Sequence, residues 1–245
     1  MITANKSAMI LAAGLGSRLK ELTVTTPKAL IEINGVPLLK IIINKLKNNG
    51  FNHIVINVHH HAEQIKAYLK DNSYFETNIE ISDEKEQLLD TGGAILKALP
   101  LFADSDAVLV HNVDIVSDVD LTKFYQSFLQ SKMDARLMCR NRESNRKFLI
   151  SSSNRLIGWK NFQTGEIKMT DSTDEDYEAF SFSGIHIFRP QLFSGIALKK
   201  CSIIDIYLQL ARSKRIDCKI IDDGYWFDLG KKEDFEKISL LLKQH

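Results

Sequence analysis

The chain has 245 residues and carries 32 Lys and Arg against 31 Asp and Glu, a formal net charge of +1. Hydrophobic residues make up 44% and charged residues 26%, values that are typical of a soluble globular protein and exclude a disordered one. The neutral balance argues against general nucleic-acid binding, which depends on an excess of basic residues. At this length we expect one domain, or one domain with a small lobe.

Cysteine content and hydropathy narrow the class further. Cys139, Cys201 and Cys218 lie far apart and form no CxxC pair, so we expect reduced thiols in a cytoplasmic protein. No run approaches the roughly 18 apolar residues needed to cross a bilayer. The N-terminal apolar stretch is short and ends in glycine, which favours a strand over a signal peptide. Membrane partners are therefore not expected.

Strand-like and helix-like patterns alternate in the first half, which predicts a mainly parallel sheet with helices on its faces. The predicted strands are 9–13, 53–58, 79–82 and 106–111, and the predicted helices are 37–49, 62–70, 93–99 and 121–131. The helix 37–49 has the strongest pattern, because its apolar residues recur at helical spacing between Pro37 and Gly50.

The pattern changes after residue 131, where short strands follow one another. Strands are predicted at 135–139, 148–152, 156–159, 180–188 and 216–221, and helices at 203–212 and 231–243. The acidic stretch 170–178 predicts an exposed loop. We therefore expect one α/β domain whose second half is a mixed-sheet extension.

The first predicted strand opens into the turn Gly14-Leu15-Gly16, where exposed backbone N–H groups suit a phosphate or a nucleotide. A dinucleotide-binding fingerprint fails because Leu19 replaces its third glycine, and no P-loop string occurs. Arg18 and Lys28 follow the turn and could neutralise a triphosphate and its pyrophosphate leaving group. A tight turn with solvated basic residues is an equally consistent interpretation of these residues alone.

A longer ordered pattern includes these residues and resembles the signature of sugar-1-phosphate nucleotidyltransferases. It consists of Gly14, Gly16, Arg18, Thr26, Pro27, Lys28, Leu30, Gly35, Pro37 and Leu38. Later segments resemble the family in the same order, namely Asp90-Thr91-Gly92-Gly93, Asn112-Val113-Asp114, Phe182-Ser183-Gly184-Ile185 and Trp226-Phe227-Asp228-Leu229-Gly230. The chain is most similar to the branch of short bacterial enzymes that resemble N-acetylmuramate-1-phosphate uridylyltransferases.

The resemblance implies a Rossmann-like, three-layer α/β/α fold with a mainly parallel mixed sheet over residues 1–245. It implies a nucleotide-binding part over about residues 8–131 and a sugar-binding part over about residues 132–245. The implied reaction is Mg²⁺-dependent transfer of a nucleotidyl group from a nucleoside triphosphate, UTP by preference, to a sugar 1-phosphate. Pyrophosphate is the second product.

The resemblance also assigns residues to this reaction. The implied catalytic residues are Arg18, Lys28, Asp114 and Asp228, and the two aspartates would hold Mg²⁺. The implied nucleotide contacts are Ala12, Ala13, Gly14, Gly16, Gln87, Gly92, Gly93 and Asn112, with a turn at Gly92-Gly93 facing the nucleobase. The implied sugar-phosphate contacts are Lys160 and Gly184.

The chemistry of these residue types agrees with the assignment. Two carboxylates together with phosphate oxygens suit Mg²⁺, a hard ion that prefers oxygen ligands. The nucleophile is a phosphate that is already anionic at neutral pH, so it needs positioning and charge neutralisation more than a general base. Taken alone, Asp114 would be a turn aspartate and Asp228 a helix N-cap, but the N-terminal pattern favours metal binding for both.

Some residues depart from the family or invite another interpretation. Val113 stands where the family has glycine, and its stiff branched side chain is expected to disturb a ribose or base contact. The string at 59–61, His-His-His, is predicted to be a loop and not a zinc site, because adjacent strand residues face opposite sides. Lys160 lacks the neighbours of the family's Glu-Lys-Pro sequence. Arg142, Arg146 and Lys147 could reach an anionic substrate, but a solvated loop is the favoured interpretation.

Two alternatives stay open. The acceptor could be phosphocholine, as in related cytidylyltransferases, which would require an aromatic cage that residues such as Tyr177 and Phe180 neither demand nor exclude. The chain could instead be a nucleotide-sugar-binding regulator that has lost catalysis, with Val113 as the suspect residue. The joint presence of both aspartates and both basic residues argues against that second alternative. Apart from the preference for UTP that the resemblance implies, the residues do not identify the base, the sugar or the oligomeric state.

Overall fold

The computed structural model describes residues 6–14, 16, 19, 23–170, 176–230 and 232–243. In the first half its elements are β1 (Ser7–Leu11), β2 (Glu32–Ile33), β3 (Val36–Pro37), α1 (Leu38–Asn48), β4 (His53–Val58), α2 (Ala62–Asp71), β5 (Asn78–Asp83), α3 (Asp90–Ala98), β6 (Val108–Asn112), β7 (Ile115–Ser117) and α4 (Leu121–Leu129). In the second half they are β8 (Ala135–Arg140), β9 (Arg146–Ser151), β10 (Leu156–Asn161), β11 (Ile167–Met169), β12 (Tyr177–Phe188), α5 (Ile203–Leu210), β13 (Ile216–Ile220), β14 (Trp226–Asp228) and α6 (Lys232–Leu242).

One ten-stranded sheet runs through both halves in the order β11-β10-β9-β12-β6-β1-β4-β5, with β8 pairing with β12 and β13. Strands β6, β1, β4 and β5 are parallel to one another, as alternating strands and helices predict. Strand β12 is antiparallel to β6, β8 and β9, so the second half extends the sheet in the opposite sense. The predicted mixed α/β sheet is confirmed.

Helices cover the sheet on both faces. Alternate residues of β1 point to different cores: Ala8 and Ile10 pack with α1, α2 and α4, whereas Met9 packs with α3 and α5. Helix α1 begins after Pro37 and buries one apolar stripe completely, formed by Leu38, Leu39, Ile42, Ile43 and Leu46. Two separate cores on opposite faces of one sheet make the predicted three-layer α/β/α arrangement.

The long strand β12 joins the halves and bends beside β6. Phe182 is opposite Cys139 of β8, but His186 is opposite Leu137, so β12 carries two extra residues in this interval. Gly184 lies within the bulge with φ +78°, and a Cβ there would lie 2.9 Å from the Cγ1 atom of Ile115. Only glycine combines this backbone conformation with such a close approach.

Several elements differ from the sequence prediction. The pairs β2–β3 and β7–β14 contain strands of two or three residues, which are too short to produce a recognisable periodicity. The predicted loop 170–178 is partly strand, because β12 begins at Tyr177; residues 171–175 lie outside the described part of the chain. Among the described residues, no helix is both long enough and apolar enough to cross a membrane.

Candidate active site

A cleft of about 310 Å³ opens beyond the carboxyl ends of β1, β4 and β6. Strand β1 has β4 on one side and β6 on the other, so the cleft lies at a switch point, where open α/β sheets bind ligands. Its lining residues are Leu11, Ala13, Gly14, Lys28, Asn57, Glu84, Leu88, Asp90, Thr91, Asn112, Val113, Asp114 and Lys200. Five of the predicted site residues are among them, namely Ala13, Gly14, Lys28, Asn112 and Asp114.

Lys28 and Asp114 form an ion pair at the cleft. The Nζ atom of Lys28 lies 2.5 Å from the Oδ2 atom of Asp114. Lys28 begins a short 3-10 helix after Pro27 and is 7% exposed, and Asp114 occupies the turn between β6 and β7. The pair joins the glycine-turn segment to the end of β6 and presents both charges to the same cavity.

Asp228 reaches Asp114 through a small sheet of its own. Strand β14 is antiparallel to β7 with Asp228 opposite Ile115, and the Leu229 N–H donates a 2.9 Å hydrogen bond to the carbonyl of Asp114. Asp228 is therefore paired with the residue that directly follows Asp114, so the backbones of the two predicted metal ligands are adjacent.

The donor set fits Mg²⁺. That ion is commonly held by one or two carboxylates and completes its shell with phosphate oxygens and water. In the part of the chain that the structure describes, no group of three or more His, Cys, Asp or Glu side chains could hold a metal. Asp114 and Asp228 would supply the two carboxylates of this donor set, and a phosphate substrate would supply further oxygens. The string 59–61 lies in the short connection between β4 and α2, and the absence of a zinc site there stays a prediction.

A buried polar network fixes the floor of the cleft. The Ala12 N–H donates to Asn57 Oδ1 at 2.7 Å, Asn57 Nδ2 donates to Glu84 Oε1 at 2.7 Å, and the Leu89 N–H donates to Glu84 Oε2 at 2.8 Å. Ala12 is buried, its N–H group is already bonded to Asn57, and the residue does not line the cavity. Asn57 and Glu84 were not predicted as site residues. A polar residue such as Asn57 at the end of an apolar strand could have indicated a site residue, whereas no sequence pattern distinguishes Glu84.

The glycine turn is described in part. Gly14 faces the cleft, and a Cβ added there would meet no described atom within 4 Å, so the surface above it is open. Gly16 has φ +62°, and a Cβ there would lie 2.6 Å from the Cγ2 atom of Thr23. Arg18 lies outside the described residues. Gln87 is exposed and does not line the cleft.

The role of Gly92-Gly93 as a nucleobase-facing turn stays a prediction, and the structure places both residues in a helix and not in an open loop. Both glycines are buried in the first turn of α3, and their N–H groups donate to the carbonyl of Cys201 at 2.8 and 3.2 Å. A Cβ on Gly93 would lie 2.5 Å from the carbonyl oxygen of Lys199. The glycines are therefore needed because the segment before α5 passes against α3. That contact brings Lys200 into the cleft.

Lys160 does not reach the cleft. Its strand β10 is separated from β6 by β9 and β12, and its ammonium lies 5.0 Å from the ring centre of Phe162. Gly184 does lie beside the site, because a Cβ on it would be 3.0 Å from the Nδ2 atom of Asn112. Of the two predicted sugar-phosphate contacts, the structure places only Gly184 next to a cleft residue.

His111 in β6 and Val113 just after it are both buried. Val113 is 4% exposed and packs into the core, and its N–H donates to the carbonyl of Leu11 at 3.1 Å. Most of its side chain therefore fills protein interior and not the cavity. His111 beneath it is fully buried, which lowers its pKa to about 4. The neutral ring donates through Nδ1 to the Asn112 carbonyl at 2.8 Å and holds the end of β6.

The sequence predicted a solvated loop around Arg142. The residue does lie in the loop between β8 and β9, but its side chain is not fully solvated. It is half-buried, and its guanidinium carbon lies 4.5 Å from the ring centre of Trp226, two residues before Asp228.

The chain is similar to known proteins in both sequence and fold. Residues 7–245 match the family described as Nucleotidyl transferase. The chain is 34% identical over 231 residues to N-acetylmuramate alpha-1-phosphate uridylyltransferase of Neisseria meningitidis serogroup B, with 91% of this chain and 92% of the relative covered. It is 29% identical to D-glycero-alpha-D-manno-heptose 1-phosphate guanylyltransferase of Campylobacter jejuni, with 93% and 96% covered.

Solved structures agree on the fold. HddC from Yersinia pseudotuberculosis is 22% identical and superposes with a TM-score of 0.76 over 97% of this chain and 99% of that one. The inositol-1-phosphate CTP transferase from T. maritima is 16% identical, with a TM-score of 0.76 over 99% and 96%. The family match over nearly all of its length and the 34% identical relative confirm the resemblance found in the sequence, and the chain belongs to the nucleotidyl transferase family.

Proposed function

We propose that the chain transfers a uridylyl group from UTP to a sugar 1-phosphate and releases pyrophosphate. The observation that carries the proposal is the Lys28–Asp114 pair, which faces a switch-point cleft beside Asp228. Family membership supports sugar-1-phosphate nucleotidyl transfer as the reaction class, and the uridylyltransferase relatives support UTP. The parallel half would bind the nucleotide and the second half the sugar.

The reaction is an in-line displacement. A phosphate oxygen of the sugar 1-phosphate attacks the α-phosphorus of UTP, and the bond from that phosphorus to the bridging oxygen breaks as pyrophosphate leaves. Lys28 carries three N–H donors, so its ammonium can keep its contact with Asp114 and still donate to a phosphate oxygen. Asp114 and Asp228 would hold Mg²⁺, which when bound neutralises charge on the triphosphate oxygens.

Two charged residues favour a base with carbonyl groups. Asp90 and Lys200 both line the cleft, from the start of α3 and from the segment before α5. Uracil and guanine offer a ring N–H that a carboxylate can accept and a carbonyl to which an ammonium can donate, whereas adenine offers an amino group in place of the carbonyl. GTP is therefore the second candidate, which the guanylyltransferase relative also supports.

The direct test is a substrate panel. Purified protein with MgCl₂ is given UTP, GTP, CTP, dTTP or ATP, each with the 1-phosphates of N-acetylmuramic acid, N-acetylglucosamine, glucose and mannose, and with phosphocholine as a further acceptor. We expect pyrophosphate release to be fastest with UTP and an N-acetylated sugar. Turnover with phosphocholine alone would establish the cytidylyltransferase alternative. Thermal stabilisation by nucleotide sugars without any turnover would establish the binding regulator.

Asp114→Ala tests the role of the carboxylate. We expect kcat for the best pair to fall about 100- to 1,000-fold, since charge stabilisation in the transition state is lost. The control is Asp118→Ala, because Asp118 is an exposed aspartate beyond β7 that does not line the cleft. Full activity in a folded Asp114→Ala protein, checked by circular dichroism, would contradict the mechanism.

A further inference from the structure

Arg142 is held in a fixed position on the Asp228 side of the site. It follows β8, its guanidinium carbon lies 4.5 Å from the ring centre of Trp226, and it donates to the Phe182 carbonyl at 3.3 Å and to the Glu143 carbonyl at 3.4 Å. A flat guanidinium stacked on an aromatic ring is preorganised, because less side-chain freedom is lost when it binds a ligand.

The supporting indole is itself fixed. The Nε1–H group of Trp226 donates to the Ser183 carbonyl at 2.9 Å, which ties β14 to the bulge of β12. Trp226 and Asp228 are two residues apart on one strand, so their side chains share a face. The stacked guanidinium therefore lies on the same face as the Asp228 carboxylate. The charge of Asp228 also acts on the pKa of Arg142, raising it against the larger lowering caused by burial.

This half-buried cation forms no ion pair with a described carboxylate, and the charge of Asp228 acts on it only from beyond ion-pair distance. Among the described residues, no carboxylate lies within ion-pair distance of Arg142, and its buried Nε has no hydrogen-bond partner there. Arg136, also partly buried, is by contrast matched by two hydrogen-bonding oxygens of Asp217. Leaving a desolvated charge unpaired is costly, and such a cost is commonly offset when an anionic ligand arrives.

We propose that Arg142 binds the phosphate group of the sugar 1-phosphate. The inference rests on the proposed function, in which an anionic nucleophile approaches an anionic triphosphate beside two aspartates. Lys28 neutralises charge next to Asp114 and the glycine turn, and the Asp228 side needs its own cation. The planar fork of arginine matches two oxygens of a phosphate, so Arg142 takes the role that the sequence assigned to Lys160.

The test is Arg142→Met, which keeps an unbranched chain over Trp226 and removes the charge and the donors. With the best pair of the substrate panel, we expect the KM for the sugar 1-phosphate to rise about 10- to 100-fold, as the loss of charge-assisted hydrogen bonds predicts. The KM for the triphosphate should stay within about 2-fold. Arg142→Lys should recover part of the loss, because it restores the charge without the fork. Competitive inhibition by inorganic phosphate against the sugar 1-phosphate should weaken in Arg142→Met by a similar factor.

Arg189 offers a matched control. Its guanidinium carbon lies 5.1 Å from the ring centre of Phe128, and it donates to the carbonyls of Met133 and Ser131. It follows Phe188, which pairs with Val108 at the start of β6, whereas the cleft lies at the other end of that strand. Arg189→Met should leave both KM values within about 2-fold, whatever it does to stability.

The outcomes separate the two proposals. An active wild-type protein with an unchanged acceptor KM in Arg142→Met overturns this inference and leaves the proposed function intact. Equal rises in both KM values would show a structural role and also overturn it. A wild-type protein that turns over no pair rejects the proposed function, and this inference falls with it.

Discussion

The two halves of the sheet position their functional residues in different ways. In the parallel half, the site residues directly follow strand ends: Ala13 and Gly14 come after β1, and Asn112 ends β6. In the second half of the chain, the position of Gly184 depends on a bulge in β12 of the main sheet. The position of Asp228 depends on the separate two-stranded sheet that β14 forms with β7. The first arrangement is local in sequence, and the second depends on contacts between distant segments. Function in the second half should therefore be more sensitive to packing.

The contact between the halves at α3 offers the strongest test. In Gly93→Ala, the new Cβ would lie 2.5 Å from the Lys199 carbonyl oxygen, so α3 and the segment before α5 must separate. We expect the free energy of unfolding to fall by about 2–3 kcal/mol, as overpacking against backbone predicts. Urea denaturation measures the change.

Gly14→Ala is the comparison within the parallel half. Its Cβ would meet no described atom within 4 Å, so stability should stay within about 0.5 kcal/mol while affinity for the triphosphate falls. Equal stability of the two variants would show that the halves are not coupled through Gly93.

A buried histidine of β12 provides a test by pH. His186 lies 2.6 Å from the Tyr207 hydroxyl, and complete burial lowers its pKa to about 3. Below pH 6.5 the unfolded chain binds a proton that the folded chain does not. Folding stability should therefore fall with falling pH, by about 1 kcal/mol between pH 6 and pH 5 from this residue.

His186→Gln removes the titration and keeps a polar partner for Tyr207. Urea denaturation at pH 7, 6 and 5 should show a shallower pH dependence in the variant than in the wild type. Parallel curves would mean that His186 is charged in the folded protein, contrary to its burial.

Lys160→Met should have the smallest effect. Because the ammonium of Lys160 lies over Phe162 on β10 and not at the cleft, we expect the KM for the sugar 1-phosphate to change by less than about 2-fold. Initial rates at saturating triphosphate measure it. A rise comparable to that in Arg142→Met would return Lys160 to the acceptor site.

These contrasts explain how far the sequence could be used. Strong periodicity located α1 and β4, and the alternation of strands and helices predicted a mainly parallel sheet. The family resemblance singled out Lys28 and Asp114, which the structure places in one cleft. Strands β7 and β14 are too short to have a pattern, yet their pairing brings Asp228 to Asp114.

Backbone contacts between distant segments could not be predicted from the sequence either. The family resemblance assigned Gly92 and Gly93 to a turn that faces the nucleobase, and no sequence pattern showed that residues 199–202 pass close to both of them. Arg142 read as solvated because its neighbours are polar, and no local signal reports that Trp226 stacks on it. The position of Arg18 stays a prediction.

The Cys201 carbonyl that accepts the N–H groups of Gly92 and Gly93 has a consequence for assembly of the chain. A fragment ending near residue 131 would leave both donors unpaired and would expose the edge of β6 that β12 covers. A bare, apolar edge strand invites pairing with other copies, so such a fragment should aggregate. We therefore expect that the first half does not fold as an autonomous module, and that its cleft forms only after the later strands have docked.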